Sequence, residues 1–372
     1  MNDIKENRLE MIQKAISASE LDAQLVLIAE NRRYISGFTG EDSGFDESAG
    51  ALLIARNAVY LLTDSRYTLQ AQQECPHFNI ITYTKGLSKE LPGVLAEIQT
   101  GGTIRLGYEK RRISCELFDA IQGEIQKAGI AVDLVGNTDV VEKFRIVKSE
   151  AEIQAIKNAL LLAEKAFTKM LETLSPGMTE IDAAWALEKR MREAGAQSVS
   201  FPVIVASGAN AALPHATPGQ DAIQPGKPLL FDWGARLNGY CSDISRTIVV
   251  GEPDAQFETI FNAVYDAQQK AIEAVRPGAY TMDIDAVARN VLRDKGLDRY
   301  FGHGLGHGVG LAIHEQPSLS PVAERSTLIT ENMVFTIEPG VYIPEWGGVR
   351  LENMVVARAD GPEVLNQLPV RL

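Results

Sequence analysis

The feature that most constrains the fold of this chain is an internal repeat in its C-terminal part. A long amphipathic segment that begins with the capping box Ser149-x-x-Glu152 is followed by a Pro-Gly pair and by a second helical segment. The same order recurs further along the chain, and one constant offset pairs Pro176 with Pro277, Gly177 with Gly278, Asp182 with Asp283, Arg192 with Arg293 and Gly195 with Gly296. Helices often end at glycine, so these matches alone could arise by chance. Because each helix pair is also followed by a β segment with two acids, we predict one domain, residues 151–372, of two α/β halves around a shared site.

The acid pair of the first half lies on a predicted hairpin. Apolar residues lead into Asp232, a β-branched run follows Asp243, and Asn238-Gly239 lies between the two arms. Asn-Gly is a strong hairpin signal, because a type I′ turn needs positive φ at both central residues. A two-residue turn places Asp232 opposite Ser245 and puts both aspartates on one face, about 7–8 Å apart. Two such carboxylates either face solvent or hold a cation, and the hairpin alone leaves both interpretations open.

The acid pair of the second half is Glu338, in FTIEPGVY, and Glu352, in GGVRLENMVV. With Gly347-Gly348 as the turn of a hairpin, the alternation of side chains puts the two glutamates on opposite faces. A longer or bulged connection would change the register. The spacing therefore does not decide whether these acids meet.

Four of the five histidines of the chain fall in this domain. His303, His307 and His314 lie in FGHGLGHGVGLAIHEQP, and His215 precedes the aspartate hairpin. The glycines disfavour a helix, so we expect an extended strand with His303 and His307 on one face and room for a ligand at the glycines. A phosphate loop is not favoured, because no Gly-Lys-Ser/Thr follows. Four carboxylates with at least one imidazole suit two divalent cations, and favour Mn²⁺, Co²⁺ or Zn²⁺ over a thiolate site.

Length and composition limit the possible compartments and partners. With 372 residues the chain is long enough for two domains, and its net charge of −13 argues against nucleic acid or an anionic membrane as a partner. The three cysteines are unpatterned, which is typical of a reducing compartment. The first residues predict a charged helix without a signal core, and no run approaches the length of a membrane span. We expect a cytoplasmic protein.

The N-terminal part predicts a smaller α/β domain, residues 1–138, joined by a linker, residues 139–150. It contains a predicted hairpin around Arg56-Asn57 and a predicted helix closed by Gly129. Between its first strands lies GFTGEDSGFDESAG, residues 37–50, whose composition predicts a mobile loop with solvated charges.

Taken together, these motifs resemble the M24 metallopeptidases of the pita-bread fold, and most closely their Xaa-Pro dipeptidase (prolidase) and Xaa-Pro aminopeptidase branch. The segments YISGFTG and LLTDSRYTLQAQQE are similar to the N-terminal domain of that branch, and residues from about 145 onward to its catalytic domain. The resemblance implies an α/β (α+β) fold: a pita-bread catalytic domain with an internal pseudo-twofold repeat, preceded by a smaller creatinase/prolidase-like domain. Methionine aminopeptidases share the catalytic half but typically lack this N-terminal domain.

The resemblance also implies a set of site residues. The five metal ligands of the family fall on Asp232, Asp243, His307, Glu338 and Glu352, which would hold two divalent metal ions per chain (Mn, Co or Zn) with Asp243 and Glu352 bridging. The residues implied to act on the substrate are His215, His303, His314, Glu338 and Arg350. Glu338 would pass a proton toward the leaving nitrogen, and a histidine would hydrogen-bond the developing oxyanion. One departure is visible: the residue after the last ligand, often aspartate in the family, is Asn353.

The implied function is exopeptidase hydrolysis of the bond between an N-terminal residue and proline, by a homodimer. Dipeptidase and aminopeptidase activity remain open. One alternative is a creatinase- or ectoine-hydrolase-like enzyme for a small amide or amidine, and a more remote one is a non-catalytic pita-bread binding module. Creatinase-like chains and binding modules lack the full ligand set, which this chain retains, but ectoine-hydrolase-like relatives can keep metal and are harder to exclude.

Overall fold

The computed structural model describes residues 2–99, 101–175 and 177–372, and the chain divides into two compact units, Met1–Phe144 and Arg145–Leu372. This boundary falls inside the segment 139–150 that the sequence predicts as a linker. Pro176, the first residue of one predicted Pro-Gly pair, lies outside the described residues. Among the helices of the described residues, none combines the length and apolarity needed to cross a membrane.

The first unit is built on one six-stranded sheet. Its strands are β1 (Ala23–Val26), β2 (Ala51–Ala55), β3 (Val59–Thr63), β4 (Asn79–Thr82), β5 (Ile104–Glu109) and β6 (Val132–Asn137). The helices are α1 (Asn2–Ala18), α2 (Ala29–Ser36), α3 (Thr68–Glu74), α4 (Leu87–Ile98), α5 (Cys115–Ala128) and, at the boundary, α6 (Glu142–Arg145). The strand order is β4-β3-β2-β1-β5-β6; the β1–β2 and β2–β3 pairs are antiparallel and the others parallel. Apolar residues of α4 and α5 complete the core of this sheet.

Local sequence signals explain several elements of the first unit. The side chain of Ser114 accepts a hydrogen bond from Leu117 N at the start of α5, and Gly129 closes the helix at φ 69°, as predicted. The predicted hairpin of β2 and β3 is confirmed. The sequence did not predict α2, α4 or β6. Helix α2 is short and polar, and α4 contains Pro92, which argues against a helix.

The prediction that the charges of loop 37–50 are all solvated is wrong for Asp42. Its side chain is 11% exposed and accepts hydrogen bonds from Arg32, which is fully buried, and from Arg112. Arg112 also covers the ring of Phe45 and donates to Phe45 O. Because the buried Arg32 guanidinium requires a counter-charge, Asp42 is drawn into the unit and ties the loop to it.

The second unit contains the two predicted halves. Its helices are α7 (Glu150–Leu171), α8 (Glu180–Glu193), α9 (Ala255–Ala274) and α10 (Thr281–Asp294). The strands of the first half are β7 (Ser198–Val199), β8 (Ile204–Ser207), β9 (Pro228–Trp233), β10 (Ala235–Leu237), β11 (Tyr240–Cys241) and β12 (Ile244–Val249). The strands of the second half are β13 (Gly306–Gly308), β14 (Glu315–Leu319), β15 (Val334–Ile337), β16 (Gly340–Ile343), β17 (Gly347–Arg350), β18 (Asn353–Arg358) and β19 (Gly361–Val364).

The repeat predicted from the sequence is present in the helices. The offset that pairs Gly177 with Gly278 also carries Glu180–Glu193 onto Thr281–Asp294, the observed bounds of α8 and α10. The strands form four sheets, in the orders β11-β10-β7, β12-β9-β8, β14-β13-β15-β18-β19 and β16-β17. One apolar core lies around α7, α8 and β9, and a second around α9, α10 and β15. The core around α7 and α8 also contains Val334, Met354 and Val356, so strands of the second half help to complete it.

The aspartate hairpin has the predicted register. Asn238 and Gly239 have φ of 50° and 83°, as a type I′ turn requires, Leu237 pairs with Tyr240, and Asp232 pairs with Ser245. The hairpin bends at Gly234, where an added Cβ would lie 1.9 Å from Ser242 O. Only glycine allows the two arms to approach this closely.

The second hairpin, whose register the sequence left open, does not turn at Gly347-Gly348. Gly347 pairs with Ile343, so the turn comprises residues 344–346, with Glu345 in the left-handed region at φ 65°. This three-residue turn changes which side chains of the two arms lie on the same face. Ile337 pairs with Asn353 and Gly340 with Arg350, which places Glu338 directly opposite Glu352. The two glutamates therefore lie on one face.

The extended strand predicted around the histidines is shorter than expected, and two of its glycines allow neighbouring backbone to approach closely. Only Gly306–Gly308 forms a strand, and His303 lies outside it. A Cβ at Gly306 would lie 2.0 Å from Thr336 O, and one at Gly308 would lie 2.2 Å from Gln316 O. Gly306 and Gly308 thus make room for neighbouring backbone on both sides of β13, and Gly304 and Gly306 also line the cavity described below.

Candidate metal centre

A cavity of about 530 Å³ opens in the second unit between the two halves. All nine side chains predicted to form the site line it, namely Asp232, Asp243, His307, Glu338, Glu352, His215, His303, His314 and Arg350. The residues come from the aspartate hairpin, the loop before it, the glycine-rich segment around β13 and the glutamate hairpin. The two halves thus each contribute an acid pair to one cavity.

His307 lies at the centre of the acids. Its Nε2 atom is 3.5 Å from Asp243 Oδ2 and 3.5 Å from Glu338 Oε1. Ligand atoms of Asp243, His307 and Glu352 all lie within 4.8 Å of one another. His307 Nδ1 lies 3.1 Å from Gly308 O and is assigned as the donor, because a carbonyl can only accept. This leaves the lone pair of Nε2 toward the carboxylates, the tautomer of a metal ligand.

The electrostatics of the cavity suit a cation. Burial, with neighbouring charges, raises the pKa of Asp243 and of Glu352 well above their usual range, and burial raises the pKa of Glu338 to about 8. Burial and the nearby His314 lower the pKa of His307 to about 4, so its ring is neutral. Buried carboxylates this close cannot all ionise without a positive charge between them.

Two carboxylate oxygens of the cavity are buried and have no hydrogen-bond donor among the described residues. They are Asp232 Oδ1 and Glu352 Oε1. The second oxygen of each group is occupied, since Asp232 Oδ2 accepts from Arg350 Nη2 at 2.6 Å and Glu352 Oε2 accepts from Ser245 Oγ at 2.7 Å. Buried polar atoms are nearly always satisfied, so these oxygens fit metal ligands. The donor set of oxygens and one imidazole fits divalent cations.

Arg350 connects several of these groups. Besides Asp232, its guanidinium donates to Ser245 Oγ at 2.8 Å, to Tyr342 Oη at 2.8 Å and to Pro214 O at 3.1 Å. The side chain is 3% exposed. A planar guanidinium held at four points fixes the carboxylate of Asp232 in one orientation.

The three remaining histidines differ in how they meet the cavity. His303 Nδ1 lies 2.8 Å from Gly304 O and its Nε2 lies 2.9 Å from Tyr342 Oη, so both ring nitrogens have protein partners. Burial lowers the pKa of His303 to about 4, which makes Nε2 an acceptor from the tyrosine hydroxyl. His215 and His314 are exposed to the cavity. They are therefore better placed than His303 to contact a ligand.

Sequence reasoning missed four side chains of the site: Ser245, Thr336, Tyr342 and Arg325. Ser245 could have been found, because the predicted register places it opposite Asp232. Thr336 Oγ1 donates to Glu338 Oε1 at 3.2 Å and lies two residues before it on the same face of β15. Arg325 lines the cavity from the segment after β14, and no local pattern indicates this position.

The chain matches known proteins along nearly its whole length. Residues 154–359 match the model of metallopeptidase family M24, and residues 8–147 match the creatinase/prolidase N-terminal domain. The uncharacterized peptidase YqhT of Bacillus subtilis is 36% identical over 98% of this chain and 99% of its own length. The Xaa-Pro dipeptidase from Bacillus anthracis is 34% identical, with a TM-score of 0.90 over 99% of this chain and 100% of its own. The X-Pro aminopeptidase from Thermotoga maritima is 35% identical, with a TM-score of 0.85 over 96% of this chain and 100% of its own.

These similarities confirm the predicted mixed α/β fold, with its creatinase/prolidase-like N-terminal domain and its pita-bread catalytic domain. Metallopeptidases of this family use divalent metal ions, which agrees with the cluster of Asp243, His307 and Glu352. The chain therefore belongs to metallopeptidase family M24.

Proposed function

We propose that this chain is a Xaa-Pro exopeptidase whose centre holds two divalent metal ions through Asp232, Asp243, His307, Glu338 and Glu352. The observation that carries the proposal is the pair of buried carboxylate oxygens without a donor, Asp232 Oδ1 and Glu352 Oε1, in the same cavity as the free lone pair of His307. One such oxygen comes from each half of the domain. Divalent cations held by these five side chains would give both unpartnered oxygens a partner.

Each side chain of the cavity has a definite part in the proposed reaction. Divalent ions, when bound, polarise the scissile carbonyl and make water a nucleophile at neutral pH. Glu338, which lines the cavity beside His307, would take a proton from the attacking water and pass it to the departing proline nitrogen. His215 and His314 would donate hydrogen bonds to the oxyanion from the open side of the cavity. Arg350 and Ser245 would keep the oxygens of Asp232 and Glu352 aimed at the metals.

The substrate class is taken from the relatives. Proteins at least 30% identical over nearly the whole length include a Xaa-Pro dipeptidase and an X-Pro aminopeptidase. The nitrogen of any amide must gain a proton before it leaves, and this includes the tertiary nitrogen of proline. Glu338, opposite Glu352 and next to His307, is suited to supply it.

Within this class we favour a dipeptidase, because the cavity presents a guanidinium. Arg325 is exposed and lines the cavity together with His314 and Ser318. A dipeptide ends in a carboxylate one residue beyond the scissile bond, and a guanidinium binds a carboxylate in two-point geometry. A longer peptide has a neutral amide in its place and gains less from Arg325.

The test is hydrolysis of Ala-Pro, Ala-Pro-Ala and Ala-Ala by metal-stripped protein refilled with Mn²⁺, Co²⁺ or Zn²⁺. We expect cleavage of Ala-Pro, slower release of alanine from Ala-Pro-Ala, and no cleavage of Ala-Ala. Faster cleavage of Ala-Pro-Ala would make the protein an aminopeptidase. No cleavage of any peptide by protein loaded with metal would contradict the proposal and support the small-amide alternative.

The variant Arg325→Met tests whether Arg325 recognises the carboxylate of the substrate. We expect KM for Ala-Pro to rise about 10-fold or more, because a charge-assisted hydrogen bond contributes about 1.5–3 kcal/mol, while kcat changes little. KM for Ala-Pro amide, which lacks the carboxylate, is expected to stay within about 2-fold. Arg293→Met, an exposed arginine on α10, serves as the control. Equal effects on the acid and the amide would exclude carboxylate recognition by Arg325.

A further inference from the structure

A second buried arginine lies behind the metal centre. Arg246, on β12, is fully buried, and its guanidinium donates five hydrogen bonds. Four of them go to backbone carbonyls: Pro369 O at 2.9 Å, Ser245 O at 3.0 Å, Glu352 O at 2.5 Å and Leu368 O at 2.7 Å. The fifth goes to the side chain of Asn353, with Nη2 3.0 Å from Oδ1. All five N–H groups of the arginine are therefore used.

None of these five acceptors carries a charge. Among the described residues no carboxylate oxygen lies within 4 Å of the Arg246 guanidinium, in contrast to Arg350, which is paired with Asp232. An arginine side chain stays protonated in proteins, so the positive charge of Arg246 is permanent. A buried guanidinium is usually paired with a carboxylate, so the neutral amide of Asn353 at this contact requires an explanation.

The position of Arg246 relative to the metal centre offers an explanation for this neutral contact. It binds the main-chain carbonyls of Ser245 and Glu352, and the side chains of these same two residues are hydrogen-bonded to each other in the cavity. Glu352 N also donates to Ser245 O at 3.1 Å. Arg246 thus lies directly behind a proposed bridging ligand, where little water can screen its charge.

We propose that Asn353 leaves the guanidinium of Arg246 without a directly bonded carboxylate, so that the charges acting on it are those of Glu164 and of the ligand Glu352, and thereby weakens the binding of divalent metal ions at the adjacent carboxylates. This inference rests on the metal ligands of the proposed function. A positive charge behind Glu352 repels an incoming cation and offsets part of the negative charge of the four acids. A carboxylate at position 353 would pair with Arg246 and remove this opposition.

The test is the affinity of metal-stripped protein for Mn²⁺, measured by calorimetry, in the wild type and in Asn353→Asp. The substitution keeps the shape of the side chain and makes its contact with Arg246 ionic. We expect Mn²⁺ to bind about 10- to 100-fold more tightly, the size of effect typical of residues that contact metal ligands. A purely structural disturbance behind Glu352 would have the opposite sign, because it would loosen the ligand.

The matched control is Asn332→Asp. Asn332 Oδ1 accepts from Arg358 Nη1 at 2.6 Å, so the chemical change is the same. Arg358 is at the opposite end of β18 from Asn353, about 17 Å away along an extended strand. We expect the Asn332→Asp variant to bind Mn²⁺ with the same affinity as the wild type.

The outcomes distinguish this inference from the proposed function. Tighter binding in Asn353→Asp with no change in Asn332→Asp would support it. Unchanged or weaker binding in a folded Asn353→Asp, while the wild type binds Mn²⁺ normally, would overturn the inference and leave the metal centre intact. If the wild type bound no Mn²⁺, Co²⁺ or Zn²⁺, the proposed centre and this inference would both be wrong.

Discussion

At the scale of single residues, hydroxyl groups hold one atom of several polar side chains of the centre. Ser245 donates a hydrogen bond to one oxygen of Glu352, and Thr336 donates one to Glu338. The hydroxyl of Tyr342 donates to His303 and accepts from Arg350. A carboxylate or imidazole with one atom fixed presents the other in a definite direction. The orientation of Glu338 and Glu352 therefore rests on hydroxyl groups that carry no charge of their own, whereas the guanidinium of Arg350 holds Asp232.

Tyr342→Phe tests this role of a hydroxyl. Burial raises the pKa of Tyr342 to about 12, so its neutral hydroxyl donates to His303 and accepts from Arg350. Loss of a hydrogen bond to a charged group costs about 1.5–3 kcal/mol, so we expect kcat/KM for Ala-Pro to fall about 10- to 100-fold. Steady-state kinetics measure the effect. Tyr300→Phe removes an exposed contact with Arg299 and is expected to leave kcat/KM unchanged; equal losses in both variants would refute the argument.

The environment of Glu109 predicts that the stability of the first unit depends on pH. Burial raises its pKa from 4.5 to about 7, although Ile28 N, Asn31 and Leu27 N donate hydrogen bonds to the carboxylate. The folded protein thus holds the proton more tightly than the unfolded chain. The contribution of Glu109 to the free energy of unfolding is fully present below pH 4.5 and is lost as the pH rises through about 7.

Glu109→Gln removes this titration. Relative to the variant, the wild type is expected to lose up to about 3 kcal/mol of unfolding free energy between pH 4.5 and pH 8. Urea unfolding of both proteins at the two pH values, followed by circular dichroism, measures the difference. Parallel pH profiles for the two proteins would show that Glu109 keeps its ordinary pKa.

At the scale of elements, two hairpins carry the acid pairs, and close backbone approach fixes their shapes. Gly234→Ala is expected to destabilise the second unit by about 3 kcal/mol, because the new Cβ would lie 1.9 Å from Ser242 O and push the arms apart. Gly123→Ala, within α5 and facing open space, is expected to stabilise the first unit by about 0.5–1 kcal/mol. Denaturant unfolding measures both. Similar small effects at the two sites would contradict the role of Gly234.

The same two hairpins show how far sequence could predict the site. The first was predicted residue by residue, because Asn238-Gly239 is a local signal and fixes the register that sets Asp232 opposite Ser245. In the second, the left-handed position is taken by Glu345, which carries no such signal, and the neighbouring Gly347-Gly348 suggested the wrong turn. A shift of the strand register by one residue moves every side chain of the strand to the other face of the sheet. The contacts of Arg325 and Tyr342 depend on tertiary packing and leave no trace in local sequence.

At the scale of the whole molecule, the repeat explains why one cavity contains acids from two distant segments. The helix pairs were predictable from periodicity and a constant offset, whereas α2 and α4 of the first unit were not, because one is short and polar and the other contains Pro92. Each half brings two like charges to the same place. In this account a cation between them joins the halves and should stabilise the second unit.

Metal removal tests this coupling. At a free Mn²⁺ concentration 100 times the dissociation constant, binding stabilises the folded state by about 2.7 kcal/mol. For a unit of this size we expect Tm to rise by about 5–10 °C when metal is added to stripped protein. Scanning calorimetry with Mn²⁺ and with EDTA measures the shift. Asp243→Asn, which removes a proposed bridging ligand, is expected to abolish most of it, and an unchanged shift in that variant would place the ion elsewhere.

The central claim is that two ions lie between the acid pairs, and anomalous X-ray diffraction at the manganese edge tests it most directly. Crystals of metal-stripped protein soaked in Mn²⁺ should show two peaks about 3.5–4 Å apart. Both peaks should be bounded by the carboxylates of Asp232, Asp243, Glu338 and Glu352 and by His307 Nε2. Absence of peaks at these side chains, in a preparation that cleaves Ala-Pro, would contradict the account.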